Sequence, residues 1–308
     1  MKRLMIVKIA MFLLLCICSA YASVSNDWTV YTCMNKSFGK LSLATGHVTN
    51  KSCPPGFWDL DYSPDGTLYG LNRSTDALYR ITNPETGQVE MLTSLPGNSG
   101  SDPIAVSPDG KFIYFTVGTG SATRSLYQYN LNTSNMTNMG AIHAPKAFTG
   151  MQFTPDGTLY AIDGYNDSNG TKRLWTINLN SLVATPVGPE LFGINEMVVG
   201  GMADALELAP DGTMYLLITP EKYSGPSNPK PTEYIATIDL STGLATINWG
   251  APISGFGFDH CDTMAIIPEP CTLSLLTLGT FLAGRKRRTL NYKNIYNIKR
   301  FENRRMEK

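Results

Sequence analysis

Histidine is nearly missing from this chain: His47, His143 and His260 are the only three in 308 residues, scattered and none with a Ser or Cys in nucleophile context. A hydrolytic triad is not supported. Cysteine is sparse as well, six residues with no Cys-x-x-Cys and no Cys/His spacing, so a zinc centre is not expected. Basic side chains are short in the body of the chain: from Ser23 to Ile267 there are 12 Lys and Arg against 22 Asp and Glu. Phosphate affinity comes largely from Lys and Arg displacing counterions, so an acidic body argues against nucleic acid as a partner.

The formal charge of zero arises because this acidic body lies between basic ends. The first 22 residues carry Lys2, Arg3 and Lys8 and no acid, and Arg285 to Lys308 carries ten basic residues against Glu302 and Glu307. At the N-terminus a basic start precedes the apolar run Ile9 to Cys18 and then Ser19-Ala20-Tyr21-Ala22. That order predicts a secretory signal peptide over residues 1–22, with Ala20 and Ala22 as the small residues before the cut. Export leaves Cys33, Cys53, Cys261 and Cys271 where disulfides are permitted, and spacing leaves the pairing among Cys33, Cys53 and Cys261 open.

Near the C-terminus Pro268-Glu269-Pro270 is followed by 14 mostly apolar residues, Cys271 to Gly284, and then by Arg285-Lys286-Arg287-Arg288. As a helix the apolar stretch spans about 21 Å, short of a hydrocarbon core of about 30 Å. The prolines interrupt any preceding element, and the basic block marks an end retained on the cytoplasmic side. Motif, apolar span and basic block together closely resemble the PEP-CTERM sorting signal of bacterial exported proteins. The resemblance implies processing at Pro268-Glu269-Pro270 by an exosortase, a membrane-embedded transpeptidase-like protease, after transient anchoring by the span. Members of that family usually end soon after the basic block, whereas Thr289 to Lys308 here adds a basic tail expected to be disordered. The organisation expected is a signal peptide over 1–22, a folded body over 23–266, the sorting signal with its transmembrane span over 267–288, and the tail over 289–308.

The body is a repeat. DLDYSPDGTLYGL, AVSPDGKFIYF, QFTPDGTLYAI and ELAPDGTMYLL recur with Asp65, Asp109, Asp156 and Asp211 spaced 44, 47 and 55 residues apart. Periods near 45 with strand-like content indicate blades of a β-propeller. In each unit an alternating segment (Leu60/Tyr62, Ile104/Val106, Met151/Phe153, Leu206/Leu208) runs into Pro-Asp-Gly, where Gly66, Gly110, Gly157 and Gly212 are available for positive φ. The turn aspartates thus read as structural.

Three more strands per unit give four four-stranded blades. Lys40 to Lys51 reads as strands three and four of a fifth blade, and Gly255 to Ile266 as its strands one and two. Pairing the two ends would close the ring and remove its edges. The expected fold is all-β, a five-bladed propeller, with six or seven blades left open if Trp28 to Cys33 belongs elsewhere. Ala105 to Gly118, AVSPDGKFIYFTVG, resembles YVTN and NHL-like propellers, a broad group that includes lactonase-like enzymes and many binding proteins; the resemblance supports fold, not chemistry.

One rim, where the loops between strands two and three lengthen along the chain up to Thr219–Glu233, is where binding is expected. The rim and the inner strands hold Trp58, Asp59, Asp61, Asp102, Asp204 and Glu207. Converging carboxylates suit calcium or acid-base chemistry on a glycoside; the structural alternative is that they are solvated strand ends. Two functions follow. One is a surface-sorted propeller that binds a polysaccharide or matrix protein of the envelope. The other is a secreted metal-assisted hydrolase, lactonase-like or a glycosidase.

Overall fold

The computed structural model describes residues 28–34, 37–52, 56–72, 74–96, 103–118, 124–144, 147–163, 172–188, 202–219, 232–255 and 263–267. The expected signal peptide, the sorting motif with its span and tail, Asp102, Cys53 and Cys261, and most of the long rim loops lie outside these residues. Among the described residues no helix is long and apolar enough to cross a membrane.

The chain opens with β1 (Thr29–Met34), β2 (Ser37–Leu41) and β3 (Val48–Ser52). Blade I follows as β4 (Asp59–Tyr62), β5 (Leu68–Asn72), β6 (Ala77–Asn83) and β7 (Gln88–Ser94). Blade II is β8 (Ile104–Val106), β9 (Phe112–Val117), β10 (Ser125–Asn130) and β11 (Met136–Ala141). Blade III is β12 (Gly150–Phe153), β13 (Leu159–Ile162), β14 (Leu174–Ile177) and β15 (Ala184–Val187). Blade IV is β16 (Met202–Leu208), β17 (Met214–Thr219), β18 (Tyr234–Ile238) and β19 (Ala245–Pro252). The last strand, β20 (Thr263–Ile267), returns to pair antiparallel with β1, so blade V runs β20-β1-β2-β3.

The fold is thus a five-bladed propeller of four-stranded antiparallel sheets. The fifth blade differs from its expected split. Gly255 to Ile266 supplies one strand, not two, and the segment Trp28 to Cys33 supplies the second strand in β1. The two termini contribute one strand and three.

Five apolar cores lie between successive blades, one per interface, including the closing contact between V and I. Both faces of each blade are therefore buried, and alternate residues serve different cores. In β17, Met214, Leu216 and Ile218 pack toward blade III while Leu217 packs toward blade V. Inner strands follow one rule. Leu60, Ile104/Val106, Met151/Phe153, Leu206/Leu208 and Met264/Ile266 face the preceding blade, whereas the alternate positions, facing the following blade, are small or polar. Blades converge toward the axis, so there is little room there. A Cβ on Gly150 would stand 2.7 Å from the Asp204 carbonyl oxygen.

Turns complete the frame. Each Pro-Asp-Gly turn is closed by its glycine N–H donating to the carbonyl three residues back, at 2.8–2.9 Å in all four, with glycine φ between 68° and 89°. On the same face of each blade the turn between strands three and four ends in a left-handed residue: Gly46, Gly87, Ser134, Leu182 and Gly243. Several of these turns dock on the outer strand of the preceding blade, as His143 and Leu182 do at 2.8 Å between N–H and carbonyl.

Candidate functional site

The inner strands bring Asp59, Asp61 and Glu207 to the axis, and all three are buried rather than solvated. The reason is an edge problem: the axial side of an innermost strand has no further strand to pair with, so its N–H groups need other acceptors. Asp59 Oδ2 accepts the N–H of Ile104 at 2.8 Å, and Asp61 Oδ2 accepts that of Val106 at 2.6 Å, both on blade II. Glu207 Oε1 accepts the N–H of Ile266 on blade V at 3.3 Å. Thr263 on blade V donates its hydroxyl to Asp59 Oδ1 at 2.7 Å and accepts the N–H of Leu60 at 2.9 Å. Asp59 and Asp61 thus tie blade I to blade II, Glu207 ties blade IV to blade V, and Thr263 ties blade V to blade I.

Electrostatics follow from this geometry. Burial pushes the Asp59 carboxyl well above its ordinary range, against the bonds from Ile104 and Thr263, and the charge of Asp61 adds to the rise. Asp61 is pushed up to about 7 by burial, opposed by the N–H groups of Val106 and Tyr62 and by the Gln152 side chain. Burial and the charge of Asp61 raise Glu207. The Tyr62 phenol is raised by burial and by Glu207 and Asp61.

Of the other expected site residues, Asp102 lies outside the described chain, and Asp204 and Trp58 lie on or next to the same inner strands. Asp204 sits on β16 beside a register shift and is half-buried, and Trp58 is half-buried with its N–H on the Leu71 carbonyl at 2.9 Å. The turn aspartates are on the surface side of the hairpins. Asp109 Oδ1 accepts from the Ser107 hydroxyl at 2.7 Å and the Lys111 N–H at 3.1 Å, and Asp156 repeats the pattern with Thr154 and Thr158. Asp65 bonds Ser63 and Thr67, and Asp211 accepts the N–H of Thr213 at 2.9 Å. Among the described residues no three of Asp, Glu, His and Cys are placed to hold one metal ion, so carboxylates alone supply no calcium ligand set there.

Gln152 is a member of the axial cluster that the composition of motifs did not reveal. Its signal was present: Asp61, Ala105, Gln152 and Glu207 each stand four residues before a turn aspartate. They are the same position of four repeats, hence one tier around the axis.

A second feature lies on the outer side, between blade IV and the β2–β3 turn of blade V. It is a pocket of about 300 Å³ whose lining includes Leu43, Tyr215, Ile235, Thr237, Thr246 and Asn248, with no charged residue. Next to it in sequence is Trp249, 56% exposed, set out on the irregular stretch of β19 and packed edge-on against Tyr234 at 5.0 Å. Asn248 holds that stretch by accepting the N–H of Gly250 at 3.2 Å.

No family model matches the chain, and no curated protein matches it. Solved structures do. A nidogen/laminin complex aligns over 78% of this chain and 98% of its own at 11% identity and a TM-score of 0.49. TolB from Acinetobacter baumannii aligns over 71% and 52% at 18% identity and 0.44, and an oligogalacturonate lyase in complex with manganese over 72% and 66% at 13% and 0.38. Likenesses at this level carry no argument about function.

Proposed function

We propose that this chain is an exported propeller that acts by binding, as a structural or adhesive component of the cell envelope or extracellular matrix, after sorting and processing at Pro268-Glu269-Pro270 by an exosortase-like membrane protease. One observation carries the choice of binding over hydrolysis. The axial carboxylates are buried, each with an oxygen on a backbone N–H of the next blade, whereas an open, uncharged cleft lies between blades IV and V with Trp249 beside it. An uncharged lining with hydroxyl, amide and aromatic groups suits a neutral polyhydroxylated polymer, since a sugar offers apolar faces to an aromatic ring and hydroxyls to Thr and Asn. The sorting reading is supported by the order of motif, span and basic block, with Pro268 next after the last residue of the closing strand.

The test has two arms. Expression with and without an exosortase, followed by mass spectrometry of the exported protein, should show loss of the chain beyond the motif only when the protease is present. Matrix polysaccharide should retain the wild-type protein and release Trp249→Ala. A cytosolic product with both ends intact would remove the sorting reading, and equal retention of Trp249→Ala would remove the cleft as the binding surface.

A further inference from the structure

We propose that the axial tier formed by Asp61, Gln152 and Glu207 holds one calcium ion, which joins blades I, III and IV. The three residues occupy equivalent positions of three repeats, on β4, β12 and β16, so the propeller places them at one height. The same tier is completed by Ala105 on blade II and by Ala265, the corresponding inner-strand position of blade V, neither of which brings a polar group.

The oxygens are set for a cation. Glu207 is 1% exposed, and its Oε2 accepts no hydrogen bond while Oε1 is occupied by the Ile266 N–H. Gln152 is 6% exposed, and its Oε1 is likewise without a donor. Its side-chain amide is engaged with Asp61, which turns the amide toward the carboxylate cluster. A buried acceptor left without a donor keeps its desolvation penalty, so two in one tier call for a shared electrophile. Among the described residues the groups acting on Asp61 and Glu207 are hydrogen-bond donors and neighbouring carboxylates, with no Lys, Arg or His among them.

The donor set chooses the ion. Carboxylate and amide oxygens without His or Cys favour a hard cation, and calcium accepts irregular oxygen geometries that magnesium does not. The amide oxygen of Gln152 is essential, since the acids alone do not form a metal set. A proton on Glu207 is the competing solution: it lowers the charge and turns Oε2 into a donor, and the calcium titration separates the two. This inference is independent of the sugar-binding cleft.

The full-length protein, stripped with chelator and dialysed, should bind one calcium per chain by equilibrium dialysis at pH 7.5. Its Tm should rise by roughly 5–10 °C at saturating calcium. Glu207→Gln and Gln152→Leu should each weaken binding at least tenfold, whereas Asp156→Asn, in a surface turn, should leave it unchanged. Circular dichroism verifies folding, and if Glu207→Gln does not fold, Gln152→Leu decides. Absence of bound calcium overturns the proposal, as does an undiminished calcium response in the folded tier variants. A stability that ignores calcium and changes only with pH assigns the tier to a shared proton and overturns it as well.

Discussion

The carboxylate of Asp61 accepts the N–H of Val106 at 2.6 Å across 45 residues of sequence, from the inner strand of one blade to that of the next. Its other oxygen accepts the N–H of Tyr62 at 2.7 Å. One side chain thus satisfies two backbone donors at the narrowest part of the molecule. Asp61→Ala removes both acceptors in a site with 1% exposure, and should cost about 1–3 kcal/mol for each donor left bare. Asp61→Asn keeps one acceptor oxygen and drops the charge, so it should cost less. Urea unfolding of both variants in chelator checks the order; equal losses would mean that charge, not the N–H clamp, is what the position supplies.

The same cluster sets an unusual dependence on pH in calcium-free buffer. Asp59, Asp61 and Glu207 all titrate higher when folded, Asp61 at about 7 against an ordinary 3.8. Between those values the folded state binds more protons than the unfolded chain, so stability is present at the acid side and is lost as pH rises through the window. The slope is at most about 1.4 kcal/mol per pH unit for each proton involved. Asp65 and Asp109 act in the opposite sense: partial burial works against Asp65, but bonds from Ser63 and Thr67 hold it low, and Ser107 and Lys111 hold Asp109 low, so their contribution fades below about pH 4. Maximal stability is expected near pH 4–5, and Asp61→Asn with Glu207→Gln should flatten the decline toward pH 7.5. A stability that climbs from pH 5 to 7.5 would contradict this.

Two left-handed residues without glycine's freedom allow a paired comparison. Ser134 at φ 57° and Leu182 at φ 55° hold the place that Gly46, Gly87 and Gly243 hold in the other blades. Ser134 is exposed, so Ser134→Gly relieves a conformation costing about 1–2 kcal/mol and loses little else; Tm should rise by about 2–4 °C for each kcal/mol gained. Leu182 is buried in the core between blades II and III. Leu182→Gly therefore relieves the same strain and forfeits a packed leucine worth about 2–5 kcal/mol, with net destabilisation. Thermal scans of the two variants should move in opposite directions.

Blade number and most strand positions were legible because local chemistry repeats: Ser/Thr/Ala-Pro-Asp-Gly specifies a hairpin wherever it occurs, and four copies give four blades. The split of the fifth blade was not, because the returning strand β20 has no Pro-Asp-Gly turn after it; its partner β1 lies 231 residues away, as in the bond between Thr32 and Thr263, and no local signal encodes that pairing. The carboxylates Asp59, Asp61 and Glu207 stood out in the sequence by type, but their commitment to the next blade's N–H groups depends on the ring being closed. Gln152 was overlooked because an amide carries no charge, although its repeat position is that of Asp61. The cleft near Trp249 comes from two blades meeting and from a register shift in β19, neither of which has a sequence period.

Ring closure itself rests on a few atoms that can be tested. Thr263 lies on the innermost strand of blade V and is fully buried. Its hydroxyl donates to Asp59 and accepts from Leu60 N–H on blade I, while its carbonyl accepts the hydroxyl of Thr32 on its own blade. Thr263→Val keeps the shape and the backbone pairing but deprives one buried carboxylate of a donor and removes one of the two acceptors of the Leu60 N–H, leaving it Asp59 Oδ1 at 3.0 Å. The expected cost is about 1–3 kcal/mol, more than for an exposed threonine, because the carboxylate that loses its donor sits where water does not reach. Thr263→Ser keeps the hydroxyl and loses a methyl, so it should lie close to wild type. If the closing strand works as a latch, Thr263→Val should also raise hydrogen exchange first at the amides of β1 and β20, before the amides of blade III respond. Uniform exchange across all five blades would show that the ring opens as one unit and that the seam between the termini is no weaker than any other.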